Sequence, residues 1–224
     1  VRYPVYFKGN PISPSRLVSF SDGIFAIAIT LLVFNLKIPD LHRAGIHQTL
    51  AAAIAAMVPQ FMIYVLSFLL IAVFWSVHHH MMNHIHHVDN YFIWLNLAFL
   101  LGISFLPFPT ALQGNYPNER FALIFYIGSM SYIGFTLLGM WSYASYRRRL
   151  VEKDLPVPVI RHYFKRGLFS QLVFAMTIVL ALIRLDWGQH FLLVLIPLQF
   201  ALQFWYKKEL IITSSKDPAG TPPA

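Results

Sequence analysis

Residues 16–36, R-L-V-S-F-S-D-G-I-F-A-I-A-I-T-L-L-V-F-N-L, constrain this chain more than any other stretch. The run is long enough to cross a bilayer, because about 20 apolar residues in a helix span roughly 30 Å of hydrocarbon. Yet it carries Arg16, Ser19, Ser21, Asp22, Thr30 and Asn35, and between Gly23 and Phe34 its one polar side chain is Thr30. A rod of this kind is costly to leave alone in lipid. Its polar spots have to face protein or water, so the segment requires neighbouring helices.

The rest of the chain supplies them. The sequence is 57% hydrophobic and 12% charged, whereas a soluble domain carries about 25% charged residues. The direct reading is an all-α integral membrane protein, since a lone segment in hydrocarbon satisfies its backbone only as a helix. Six apolar runs are long enough to span: Leu17 to Leu36, Thr49 to Val77 (with Pro59), Tyr91 to Leu112 (with Pro107 and Pro109), Phe121 to Tyr146, Phe164 to Ile183, and Phe191 to Tyr206. Residues 1–212 read as a single six-helix transmembrane domain. Residues 213–224, polar with three prolines, read as a disordered C-terminal tail. The opening V-R-Y-P-V-Y-F-K-G-N-P lacks the apolar core and cleavage site of a signal peptide.

Orientation follows from the basic residues, which gather on the cytoplasmic side of membrane proteins. With six spans, thirteen of the 17 Lys and Arg fall on the side of the two termini and four on the other. Both termini are therefore expected in the cytoplasm. The same bias accounts for the net charge of +8 without invoking nucleic acid. Trp94, Trp141, Trp187 and Trp205 sit near span ends, as interfacial anchors would. Gly102, Gly128, Gly134 and Gly139 suit close helix contacts.

On a helical wheel of about 100° per residue, with Arg16 at 0°, Phe20, Gly23, Ile27, Thr30, Leu31 and Phe34 fall within about 60° of it. Asp22 falls off that stripe, at about 240°. Pro14 suits the first helical turn with Ser13 as N-cap, which places Asp22 more than two turns inside and not at a cap. One face is thus an apolar ridge holding a hydroxyl. Elsewhere on the same helix an acid needs a partner within the protein.

Six of the ten His lie in the stretch from Trp75 to Asp89. His78 or His79, at the end of the second span, and Asn96, early in the third, lie at the depth of Asp22. An Asp–His–Asn cluster is therefore expected to satisfy the acid. The remaining His are scattered singly, unlike the several boxes of a membrane di-iron enzyme. No phosphate-binding Gly loop, H-E-x-x-H, G-x-S-x-G or T-V-G-Y-G is present.

Arg16, Phe20, Ser21 and Asp22 form R-x-x-x-F-S-D ahead of G-I-F-A-I-A-I-T-L-L-V. With F-W-S-V-H-H-H (Phe74 to His80), D-N-Y-F-I-W-L-N-L (Asp89 to Leu97) and S-F-L-P-F-P-T-A-L (Ser104 to Leu112), this resembles the prokaryotic relatives of transmembrane protein 175, the endosomal and lysosomal potassium channel. The resemblance implies six-span subunits in a homotetramer whose first helices line a central pore. It implies a potassium-favouring cation channel of the cell membrane, with no enzyme activity and no cofactor beyond permeant K+. By position, Ile27, Leu31 and Phe34 form apolar constrictions and Thr30 the ring linked to selectivity. Arg16, Phe20, Ser21 and Asp22 hold the helix, with His78, His79 and Asn96 as partners. Phe34 is bulkier than the aliphatic residue expected at the outer ring. A proton-coupled transporter using Asp22 and histidines is the competing expectation.

Overall fold

The computed structural model describes residues 13–39 and 49–191. Helix α1 runs Pro14–Leu31 and tightens into a 3₁₀ turn over Leu32–Asn35. Ser13 occupies the N-cap position and Pro14 opens the helix, but the Ser13 hydroxyl bonds Ser15 Oγ at 3.0 Å and no backbone N–H. The helices that follow are α2 (Leu50–Ala56), α3 (Val58–Met82), α4 (Asn90–Phe105), α5 (Pro107–Asn115), α6 (Arg120–Ser145) and α7 (Val157–Ile183). A further helix begins at residue 185 and reaches the last described residue, 191.

Five of these stretches are long and apolar enough to cross a membrane: Pro14–Asn35, Val58–Met82, Asn90–Asn115, Arg120–Arg148 and Val157–Ile183. The sixth expected span, from Phe191 to Tyr206, and the tail 213–224 lie outside the described residues beyond 191. Two spans are broken where proline forbids continuity. The expected run from Thr49 to Val77 is α2 and α3 with a joint at Met57, because Pro59 occupies the first turn of α3 and lacks a donor. Thr49 caps α2 by accepting from Ala52 N at 3.3 Å. The third span breaks at Leu106, where Pro107 starts α5. The ends also move: α3 continues through the histidines to Met82, and α7 starts at Val157, seven residues before the expected Phe164.

Helix α1 packs on α3 and α4, while α6 packs along α4, α5 and α7. Gly102 on α4 lets α6 approach closely; a Cβ there would lie 2.6 Å from Ile133 Cγ1. Gly128 and Gly139, expected in the same role, face open space within the subunit. The core between α3, α5 and α6 contains a polar knot. Tyr126 Oη and Ser67 Oγ lie 2.9 Å apart, and Thr110 Oγ1 donates to Ser67 Oγ at 2.9 Å. All three side chains are buried, and Thr110 Oγ1 also reaches Leu106 O at 2.9 Å, so no hydroxyl is left without a partner. Trp141 is also buried and not an interfacial anchor: its indole N–H donates to Ile160 O at 3.0 Å. At the same end of the bundle, an isolated bridge between Ile85 and Val151 joins the α3–α4 and α6–α7 connections.

Candidate functional site

Helix α1 divides lengthwise into two faces. Leu17, Ser21, Phe25, Ala28 and Leu32 are buried against the bundle. Arg16, Phe20, Gly23, Ile27, Thr30, Leu31 and Phe34 are exposed, Ile27 by 61% and Phe34 by 76%. The whole ridge seen on the helical wheel is exposed, and exposure extends beyond it to Ala26 and Val33. The 3₁₀ turn keeps it in line, because a repeat of about three residues stacks Phe34 beneath Leu31. Asn35 Nδ2 donates to Pro107 O at 2.9 Å, a carbonyl at the broken third span, and this pins the end of the ridge.

Thr30 has a defined polarity on that face. Its hydroxyl proton is directed to the helix backbone, with Ile27 O at 2.9 Å and Ala26 O at 3.0 Å. What the exposed side chain offers outward is therefore oxygen lone pairs and a methyl group. At Thr30 itself the exposed polar atom is thus an acceptor.

The buried face is held by a directional chain of hydrogen bonds. Ser21 Oγ–H donates to Leu17 O at 2.8 Å, and Asn96 Nδ2 donates to Ser21 Oγ at 3.1 Å. The Asn96 amide oxygen is thereby left for His78 Nε2, 2.9 Å away. An amide oxygen only accepts, so His78 carries its proton on Nε2. His78 is stacked on Phe99, with ring centroids 5.2 Å apart, and Phe25 lies at 6.0 Å from the imidazole. Ser21, Asn96 and His78 are all fully buried, so this chain ties α1 to α3 and α4 with little freedom.

Asp22 is not part of that chain, contrary to the expected Asp–His–Asn cluster. Its Oδ1 accepts from Trp75 Nε1 at 2.8 Å. His79, one turn beyond Trp75 on α3, stacks on the indole at 5.4 Å and does not bond the acid. Arg16 is exposed, and the one ion pair among the described residues is His86 to Glu152 at 3.7 Å, so Arg16 and Asp22 do not pair within the subunit. Phe20 lies on the exposed ridge and takes no part in the anchor. Trp75 is the residue that the sequence reading passed over. Its position four residues before His79 placed both on one side of α3, which was the available signal. Among the described residues, no three His, Asp or Glu side chains are grouped to hold a metal ion.

The family model described as "Endosomal/lysosomal potassium channel TMEM175" matches residues 16–107. A potassium channel of Chamaesiphon minutus is 34% identical over 62% of this chain and 69% of its own length. A potassium channel of Streptomyces collinus is 31% identical over 75% of this chain and 82% of its own. A vertebrate relative, the endosomal/lysosomal proton channel TMEM175 of Gallus gallus, is 24% identical, and the match spans 30% of its length. In structure, the chain superposes on a lysosomal potassium-selective channel TMEM175 homologue from Chamaesiphon minutus with a TM-score of 0.75 at 29% identity, covering 85% of this chain and 97% of that one. Together with the R-x-x-x-F-S-D motif at Arg16–Asp22, these similarities show that the chain belongs to the TMEM175 family of ion channels.

Proposed function

We propose that this protein is a potassium-favouring cation channel of the cell membrane, formed by four six-span subunits with both termini in the cytoplasm. The α1 helices surround the axis. Ile27, Leu31 and Phe34 form apolar rings, and Thr30 supplies a ring of oxygen acceptors. The observation that carries this reading is the exposed face of α1: a continuous apolar ridge, interrupted by a hydroxyl oxygen, on a helix whose other face is locked to its own subunit. Large apolar side chains left uncovered in one line call for a partner surface, and symmetry offers copies of the same helix.

In such a pore no dense set of carbonyl oxygens replaces an ion's hydration shell. The apolar rings control passage by width and by dewetting. Thr30 favours cations because its lone pairs, not its proton, face outward. Selectivity is accordingly modest and resides in one ring. Bacterial relatives named as potassium channels support K+ as the principal ion.

Purified protein in liposomes tests the assignment. Ile27→Asn is expected to raise K+ flux by about tenfold, equivalent to removing roughly 1.4 kcal/mol of barrier. Thr30→Ala is expected to lower the preference for K+ over Na+ while leaving flux. Unchanged flux and selectivity in both variants would remove α1 from the pore. The proton-coupled reading rests on Asp22 and on His78 and His79, each with Nδ1 buried and unpartnered. It predicts pH-driven uptake that saturates, and abolition of coupling in Asp22→Asn.

A further inference from the structure

Helices α3, α6 and α7 leave a groove between them that the pore assignment does not use. Its apolar wall includes Leu70, Val73, Leu137 and Phe174, and it is a narrow cleft with a cavity volume of about 50 Å³, open along one side. Along α3 the lining runs from Leu70 to Met81, about 16 Å at 1.5 Å per residue. That is close to half of the roughly 30 Å hydrocarbon core, the depth of one leaflet. Two glycines let α6 and α7 close together along its floor. A Cβ at Gly134 would collide with the Gln171 amide, and one at Gly167 would lie 2.8 Å from Leu138 Cδ1.

Two donors in this groove have no partner. Arg166 Nη2 is buried without a hydrogen bond, and so is Gln171 Nε2. Gln171 is only 5% exposed, and its oxygen is already taken by Ser131 Oγ–H at 2.7 Å. No acidic side chain pairs with Arg166 among the described residues. A guanidinium in an apolar groove requires a counter-anion, or its burial costs several kcal/mol. Tyr163 lines the groove beside it, a residue type that gathers at headgroup level. Gln171 lies about 7.5 Å deeper along α7. The exposed Arg147, Arg149, Lys153, Arg161 and Lys165 surround the same end of the bundle.

We infer that this groove binds one anionic phospholipid per subunit. Arg166 holds the phosphate, Gln171 Nε2 donates to an ester carbonyl below it, and an acyl chain lies along Leu70, Val73 and Phe174. A zwitterionic lipid brings its own ammonium to the phosphate and gains less from Arg166. The site is independent of which helix lines the pore.

Native mass spectrometry of the detergent-purified protein, titrated with phosphatidylglycerol or phosphatidylcholine, tests the inference. Wild type is expected to retain one phosphatidylglycerol per subunit, about tenfold more tightly than phosphatidylcholine, in line with roughly 1 kcal/mol or more per basic contact. Arg166→Gln should erase that preference, and Arg161→Gln, an exposed change on the same helix, should leave it. Leu138→Trp narrows the groove without touching the guanidinium and should lower retention of both lipids. Each variant is first checked for unaltered elution and melting. Equal loss in Arg166→Gln and Arg161→Gln would mean a diffuse basic belt and would overturn the site. Undiminished retention in Leu138→Trp, or no headgroup preference in wild type, would overturn it as well.

Discussion

Asn96 uses both ends of its amide, one toward Ser21 on α1 and one toward His78 on α3. Truncating it strands a buried imidazole N–H and removes a donor from a buried hydroxyl. Asn96→Ala is therefore expected to cost about 1–3 kcal/mol of stability, readable as a lowered melting temperature in detergent. A melt within error of wild type would show that the chain of hydrogen bonds is not needed to hold α1. The sequence alone brought Asn96 and the two histidines to the right depth. It could not say which polar group on α1 they met. Ser21 and Asp22 are adjacent in sequence but about 100° apart around the helix, and only the rotation of α3 and α4 against α1 decides between them. Trp75 was missed for the same reason. An indole N–H partner for an acid is visible only once two helices have been oriented.

At the scale of elements, hydropathy located the spans because crossing a bilayer is a matter of length and composition. It could not locate their breaks. Pro59 and Pro107 were legible as letters, but the joints at Met57 and Leu106 depend on which carbonyls lose a donor and what replaces it. At Pro107 the carbonyl that loses its donor is Ile103 O, which takes Leu106 N at 3.3 Å instead, while Asn35 Nδ2, reaching from the end of α1, donates to Pro107 O. Asn35→Ala is expected to free the 3₁₀ turn, so that amide hydrogen exchange across Leu32–Leu36 speeds by about tenfold, corresponding to roughly 1.4 kcal/mol of local stability. Unaltered exchange there would show that packing alone holds the turn. The glycine pattern was half legible. Gly102 meets α6, so Gly102→Ala should cost about 1–3 kcal/mol through overpacking, whereas Gly128 and Gly139 have no contact within the subunit to lose.

Across the whole molecule, pH is expected to act at the end of the bundle near the α3–α4 connection. His84 is half-buried between Trp141 and Tyr163, and burial pushes its pKa below the usual histidine value, opposed by the Glu152 carboxylate and aided by His80. The folded chain thus binds fewer protons than the unfolded one at that site. Its contribution to stability is full above the unfolded value, about 6.5, and is lost as pH falls below it. Melting temperature should drop between pH 8 and pH 5, and His84→Phe should flatten that drop. An equal slope in both proteins would place the sensitivity elsewhere.

The central claim is that the exposed ridge of α1 faces an ion path shared by several copies of the chain. The sequence contains no cysteine, so single cysteines can be introduced without removing others. Thr30→Cys and Phe34→Cys test the ridge, Ala28→Cys the buried face, and Leu172→Cys the exposed outer side of α7. Silver ions applied during K+ flux from liposomes are predicted to block Thr30→Cys and Phe34→Cys and to spare Ala28→Cys and Leu172→Cys. Block at Leu172→Cys with free flux through both ridge variants would contradict the account.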